Sequence, residues 1–299
     1  MPRRRSAKPL KPRVVIVGAG NLARALAVAL QRAGYRIDQI VSRDRPPSLR
    51  RARRLAGELG ASAVKAAKVH IQAELVWFCV PDGAIAAAAT ALQGAADWSG
   101  KVALHSSGAL TSDELAKLRI GGAAVASVHP MMTFVRGSRP PLAGVPFAVE
   151  GDFAAVRMAR HIVKNLNGHA YSIRKADKAA YHAWGTFASP LLTALLVTSE
   201  QVATAAGLQP REAKRRMLPI LKQTLANYAA LDAAAALSGP MIRGDIDTVK
   251  RHLRILRRIP VAKEVYESLA QAALVYLPGK NKPMLARVLN SLRRTRSRS

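Results

Sequence analysis

Short apolar, largely β-branched runs punctuate the first half of the chain at residues 14–17, 37–41, 75–80, 102–104, 124–128, 145–149 and 170–173. Between them lie stretches with helical spacing, such as Leu22, Leu26 and Leu30. Short runs that stay apolar fit strands covered on both faces. Their alternation with helices predicts a mostly parallel, doubly wound α/β sheet. From about residue 176 the strand signal stops. Ala- and Leu-rich helical patterns replace it at 176–206, 210–231, 245–258 and 261–276, punctuated by Gly207, Gly239-Pro240 and Pro260. The pattern predicts an α/β domain at 13–174 and an all-α domain at 175–279. Basic tails are expected at 1–12 and 280–299, rich in arginine and lacking a sustained pattern.

Composition adjusts this picture. Hydrophobic residues make up 49% of the 299, enough for a real core and against a disordered basic chain. The balance of 47 Lys+Arg against 18 Asp+Glu leaves a formal net charge of +29. Such an excess points first to nucleic acid, an anionic membrane or a phosphorylated ligand. Aromatics are only 5% and no nucleic-acid motif is present, so nucleic acid is expected at most as a non-specific partner of the tails. Cys79 is the single cysteine, which excludes an internal disulfide or a cysteine-based metal centre, and no metal is expected. No apolar run reaches the roughly 18 residues of a membrane span, and 14–17 is too short for a signal-peptide core. A soluble cytoplasmic protein is expected.

The first strand runs into Gly18-Ala19-Gly20-Asn21-Leu22-Ala23 and then a helical pattern. This is G-x-G-x-x-A in its strand–turn–helix setting, the dinucleotide-binding turn of a Rossmann domain. Gly18 allows the tight turn and Gly20 lets a pyrophosphate approach the backbone. Gly18, Gly20, Asn21 and Leu22 are therefore expected to hold it through main-chain groups at a helix N-terminus. The second strand ends in Ser42-Arg43-Asp44. Ser42 and Arg43 suit a 2′-phosphate, while Asp44 stands two places late for the ribose role, so NADP is favoured over NAD. Val80 and Pro81 end another strand and are expected at the nicotinamide side, with Asp82 read as a helix cap.

Two polar clusters end strands on the same edge: His105-Ser106-Ser107-Gly108 and His129-Pro130-Met131-Met132-Thr133-Phe134. Ser106 and Ser107 are candidate substrate contacts, and His129 a candidate acid/base or polar anchor. The elbow G-x-S-x-G of a serine hydrolase is absent. At the start of the helical half, Lys178 and His182 are four apart, hence on one helix face. A protonated lysine there can give its proton to an alkoxide as hydride arrives. Asp245 reads as a helix cap, and Arg243 beside it as a candidate clamp for a carboxylate.

The order G-A-G-N-L-A, S-R, V-P-D, H-S-S-G, H-P-M-M-T-F, K-x-x-Y-H and G-P-x-x-R-G-D-x-x-T, running from Arg13 to Tyr276, resembles one family. It consists of Rossmann-like oxidoreductases with a C-terminal helical domain of unknown function, often labelled NADP oxidoreductases of the deazaflavin-dependent type by homology, a resemblance that leaves a deazaflavin partner open. That family is similar to the wider group of 6-phosphogluconate and β-hydroxyacid dehydrogenases, ketopantoate reductase and pyrroline-carboxylate reductase. The hydroxyacid members and ketopantoate reductase carry a catalytic Lys with Asn four residues on. Lys178 falls where that Lys would be, and His182 replaces the Asn. Ser107-Gly108 matches a substrate-binding Ser-Gly of the hydroxyacid enzymes. The resemblance also implies a homodimer formed through the helical domain.

Together these readings predict an NADP(H)-dependent oxidoreductase acting on a carbonyl or imine of a small, carboxylated molecule, a ketopantoate-like 2-oxo acid being preferred. Lys178 would be the general acid, with His182 and His129 orienting it or relaying protons. A non-catalytic NADP-binding sensor or scaffold is the alternative, and a nucleic-acid binder a more distant one.

Overall fold

The computed structural model describes residues 11–138 and 140–291. Most of the two basic tails therefore lies outside the described residues. Packing divides the chain into two compact units, parting between Thr186 and Phe187.

The first unit is built on one eight-stranded sheet. Its strands are β1 (Val14–Val17), β2 (Ile37–Ser42), β3 (Ser62–Lys65), β4 (Leu75–Phe78), β5 (Val102–His105), β6 (Ala124–Pro130), β7 (Pro146–Gly151) and β8 (His169–Ser172). They lie in the order β3-β2-β1-β4-β5-β6-β7-β8, the doubly wound Rossmann order extended by two strands. Every pairing is parallel except β6 with β7. The predicted α/β class is the observed one. Strand β3 has no counterpart in the apolar pattern, because this edge strand is only partly buried along its length.

Alternate residues of each strand feed opposite layers, as the pleat requires. Val14, Ile16, Leu75, Trp77, Val102 and Leu104 pack under α1 (Asn21–Arg32), α2 (Pro46–Leu59) and α5 (Phe153–Asn165). Val15, Val17, Val76, Phe78 and Ala103 pack under α3 (Ile85–Ala91) and α4 (Ala116–Ile120). Trp77 is fully buried, and its indole N–H donates to the Ser106 hydroxyl just past β5 at 2.8 Å.

Helix α6 (Lys178–Thr186) opens the helical sequence but belongs to the first unit, with Lys178 and Tyr181 buried. The compositional boundary near Arg174 therefore precedes the packing boundary by one short helix. The single helix predicted at 176–206 is interrupted by a π-turn, Phe187–Leu191, which contains Pro190. Proline has no N–H for the regular ladder, which accounts for the interruption.

The second unit contains α7 (Leu192–Ala205), α8 (Pro210–Ala230), α9 (Ala233–Ala236), α10 (Pro240–Arg243), α11 (Ile246–Leu256), α12 (Pro260–Tyr276) and α13 (Lys282–Ser291). Val249, Leu253, Ala270, Leu285 and Leu289 form its core. Leu285 and Leu289 are four apart on α13, so residues 282–291 are a packed helix where a basic tail was expected. Asp245 caps α11 as expected, accepting from the Thr248 N–H at 3.1 Å. Among the described residues no single helix is long and apolar enough to cross a membrane.

Trp77→Phe removes both buried volume and a buried hydrogen bond, and should lower unfolding stability by about 2 kcal/mol. Denaturant unfolding checks this; an unchanged midpoint at equal slope would show that the indole contributes nothing to the layer.

Candidate active site

The strand order reverses between β1 and β4, and their carboxyl ends open a crevice at the position where open α/β sheets bind ligands. Gly18 follows β1 with φ +110°, and a Cβ there would lie 2.5 Å from the Cys79 carbonyl oxygen past β4. Only glycine fits this turn. Gly20 begins α1 with no side-chain cap and no acidic residue in the first turn, and a Cβ on it would meet nothing within 4 Å. The Asn21 and Leu22 N–H groups fall in that first turn, where a helix offers no partner of its own. The Asn21 side chain is committed elsewhere, donating to the Phe134 carbonyl at 3.2 Å. Leu22 is partly buried against the core.

A cavity of about 520 Å³ adjoins this turn. Gly18, Gly20, Ser42, Arg43, Val80 and Pro81 line it, and so do Ser48 and Arg51 of α2. Ser42 is buried and its hydroxyl has no partner. Arg43 and Arg51 are exposed and take part in no ion pair among the described residues. Asp44, by contrast, is paired with Lys65 at 2.8 Å. A backbone cradle, an orphaned buried hydroxyl and two free guanidiniums fit a dinucleotide carrying an additional phosphate. Cys79 is buried, which pushes its thiol up to about 12 and makes it inert at neutral pH.

The far lip of the cavity leads on to Asp82. No helix is capped by this side chain, contrary to expectation. Its carboxylate instead accepts from the Ser107 hydroxyl at 2.8 Å. That hydroxyl also accepts from the Ala109 and Leu110 N–H groups at 3.2 and 2.9 Å, so the 107–110 turn is fixed around it. The Ser107 carbonyl accepts from Lys178 Nζ at 3.1 Å and from the Ser127 hydroxyl at 3.0 Å. Lys178 Nζ also donates to Ser127 Oγ at 2.7 Å. Lys178 is 1% exposed, and burial pulls its ammonium below the usual lysine range, opposed by the charges of Glu150 and Asp82. Two of its three donors are taken, which leaves one free.

His129 bonds through Nδ1 to the Tyr181 hydroxyl at 2.8 Å. Its ring lies 6.3 Å from that of His182, centroid to centroid. A Cβ on Gly108 would come within 2.9 Å of both imidazoles, so the glycine is what lets them close over the turn. Burial, then the Lys178 and His182 charges, bring His129 down to about 4. Burial likewise raises the Tyr181 phenol, with Tyr171 adding to the effect. His129 and Tyr181 are thus a neutral, fixed hydrogen-bonding pair. His105 is equally neutral: Nδ1 accepts from the Ser107 N–H at 3.1 Å and Nε2 meets the Thr111 carbonyl at 2.9 Å. Its burial brings it down to about 4.

Of the predicted chemistry, Ser107, His129, Lys178 and His182 come together. Ser106 does not present its hydroxyl to them, because that group is held by Trp77. Arg243 lies in the second unit, exposed at the end of α10. Sequence reasoning missed Ser127, Tyr181, Ser48 and Arg51. Ser127 carries a readable signal, the lone hydroxyl inside an apolar strand. Arg51 is hidden among the arginines at 50–54.

Comparison with known proteins agrees with this architecture. Residues 2–130 match a Rossmann-like domain and residues 145–273 match a domain of unknown function, DUF2520. No curated protein sequence matches the chain. Among solved structures it is similar to a provisionally assigned NADP oxidoreductase of Bacteroides fragilis, at 26% identity and TM-score 0.72, covering 88% of this chain and 97% of that one. A Thermotoga maritima protein is 27% identical with TM-score 0.68, covering 94% and 99%. A reductive aminase of Aspergillus terreus, solved with NADPH and ethyl-5-oxohexanoate, shares the fold at 18% identity and TM-score 0.60, covering 89% and 94%.

Because His105 and His129 bind protons more weakly folded than unfolded, their contribution to stability is complete above pH 6.5. It is lost as the pH falls from 6.5 toward about 4. The loss is on the order of 3 kcal/mol for each histidine. Unfolding free energies measured across this range should fall steeply for the wild type and less steeply for His105→Gln. Equal slopes would mean that His105 is not buried as the neutral ring.

Proposed function

Taking a Rossmann-like domain followed by a DUF2520 domain as the premise, we propose that the protein is an NADP(H)-dependent reductase of a carbonyl or imine on a small, carboxylated molecule. One juxtaposition carries the reading. The lip of the dinucleotide cavity, Val80-Pro81, continues into Asp82, Asp82 holds Ser107, and Ser107 holds Lys178. The nearness of solved reductases in fold supports an oxidoreductase of this general kind.

Gly18, Gly20, Asn21 and Leu22 hold the pyrophosphate through the turn and the helix N-terminus. Ser42, Arg43 and Arg51 receive the 2′-phosphate, which would satisfy the orphaned Ser42 hydroxyl and two unpaired cations. When bound, NADPH supplies the hydride. Lys178 offers its charge and its free N–H to the atom that gains the electron pair, acting as general acid toward a carbonyl. His129, its ring fixed by Tyr181, and His182 orient the substrate over Gly108, with Ser107 forming the floor. A 2-oxo acid is the preferred substrate class, since a lysine charge best matches an oxygen becoming an alkoxide.

The helical unit supports a second part of the proposal, a homodimer. Leu218, Ile220, Leu225 and Tyr228 of α8 are exposed, as are Val261, Leu269, Val275 and Tyr276 along and at the end of α12. Apolar faces this extensive on one small helical unit are usually covered by a partner.

NADP should raise the melting temperature more than NAD at equal concentration, and Arg51→Ala together with Arg43→Ala should erase the difference. NADPH labelled at the transferred position should pass its label to a member of a panel of oxo acids and imines. Transfer to none of them, with NADP still bound, would point to a sensor and overturn the enzymatic reading. Light scattering should give a dimer mass, and Ile220→Asp should shift it toward monomer; a monomeric wild type would end the dimer proposal.

A further inference from the structure

We propose that Glu150 is a positioning residue for Lys178: a buried carboxylate, fixed by Ser112, that balances the lysine's charge across the β6–β7 strand pair without touching it. This rests on the reading of Lys178 as the charged donor. Glu150 stands directly opposite Ser127 in the antiparallel β6–β7 register. Residues so paired share one face of the sheet, with Cβ atoms roughly 5 Å apart. Ser127 is the side chain that receives Lys178. The register thus brings carboxylate and ammonium to the same patch, through a pairing between strands that are separated by a long connection.

Ser112 fixes the Glu150 carboxyl group at both oxygens. Both its oxygens accept, Oε1 from the Ser112 N–H at 2.6 Å and Oε2 from the Ser112 hydroxyl at 2.9 Å. Two donors on one carboxyl group suit the carboxylate form of Glu150. It is 6% exposed, and a charge so buried needs a counter-charge. Arg119 reaches the Ser112 hydroxyl at 3.4 Å but is itself paired with Asp113 and Asp152. Lys178 has no acidic partner within ion-pair distance among the described residues. Lys178 is thus a cation without a direct ion pair, and the charge of Glu150 acts on it ahead of that of Asp82.

Several groups face Lys178. Asp82 adds a second carboxylate from the loop after β4, held by Ser107. His105 at the end of β5 and His129 on β6 are uncharged at neutral pH, and His182 lies one turn further along the lysine's own helix. Asp82 borders the cofactor cavity, where an incoming anionic ligand alters its surroundings, whereas Glu150 sits on the opposite side of Ser127, inside the sheet layer. An indirect counter-charge has a chemical advantage over a direct ion pair. It stabilises the ammonium while leaving the third N–H free for a substrate.

The test reads the Lys178 titration directly, by NMR of 13C- and 15N-labelled lysine in the full chain without substrate, with Lys178→Met identifying the signal. Glu150→Gln should move the midpoint down by about one pH unit, a tenfold gain in acidity. Glu150→Asp keeps the charge and should restore the midpoint although it weakens the Ser112 clamp. If Glu150 were merely structural, Asp would disturb the lysine as much as Gln. Should Glu150→Gln not fold, the carboxyl 13C signal of Glu150 in the wild type must still respond when Lys178 loses its proton. An unmoved midpoint in Glu150→Gln, or a silent Glu150 carboxyl signal, overturns the proposal. In a separate arm, unchanged label transfer in Lys178→Met would overturn the catalytic reading of the lysine while leaving the measured coupling intact.

Discussion

A lysine ammonium buried at the carboxyl edge of a sheet is the constraint around which the first unit is arranged. Withdrawing such a charge from water costs several kcal/mol unless donors, acceptors and opposite charge replace the lost hydration. The chain supplies all three from separate elements. The Ser107 carbonyl and the Ser127 hydroxyl accept from Nζ, and Asp82 and Glu150 lie beyond as carboxylates. Each supporting group is itself fixed: Ser107 by Asp82 and two N–H groups, Ser127 by Ser107, Glu150 by Ser112. Thr111 and Ser112 are adjacent, so one short turn secures both the His105 ring and the Glu150 carboxylate.

The cofactor side follows the opposite logic. There the polar groups are left without partners. The Ser42 hydroxyl is buried and unbonded, the first turn of α1 is uncapped, and Arg43 and Arg51 are free. An orphaned buried hydroxyl, an uncapped helix start and two unpaired guanidiniums around one cavity suit an anionic ligand there. The pairing of Asp44 with Lys65 has the same consequence. It removes the one carboxylate near the end of β2 that would repel a phosphate.

Much of this was legible in the sequence because it depends on local pattern. Apolar runs specify strands, a glycine turn specifies the crevice, and strand ends specify which polar residues reach it. What was not legible depends on pairing and facing. Ser106 and Ser107 are adjacent, yet one turns to Trp77 and the other to Asp82 and the lysine, and only the exit geometry of β5 decides between them. Asp82 has the composition of a helix cap, but its partner lies 25 residues away. Glu150 reads as a polar residue ending an apolar strand, and its meaning comes from the antiparallel register with Ser127. Helix α13 was masked by its cations, although Leu285 and Leu289 carry the period that buries it.

The great excess of positive charge takes on a different sense in this setting. Among the described residues, runs of cations lie exposed on helix faces, as at Arg53-Arg54 and Arg215-Arg216, and several are neutralised locally, as Arg24 is by Glu58 and Arg13 by Glu74. The site uses very few. Its architecture also shows why the two halves of the sequence are not independent. The Rossmann-like match ends at the end of β6 and the DUF2520 match begins at the start of β7, yet those two strands pair residue for residue. Ser127 and Ser107 come from the first segment, Glu150 and Lys178 from the second. The buried charge and its solvation are therefore divided between two sequence domains that share one sheet. A first segment ending at β6 would lack the lysine and expose a central strand edge. A second segment alone would carry the lysine and Glu150 with no Ser107 or Ser127 to receive them. The helix bearing Lys178 belongs to the first unit, where Lys178 bonds to Ser127 and Tyr181 to His129, both on β6.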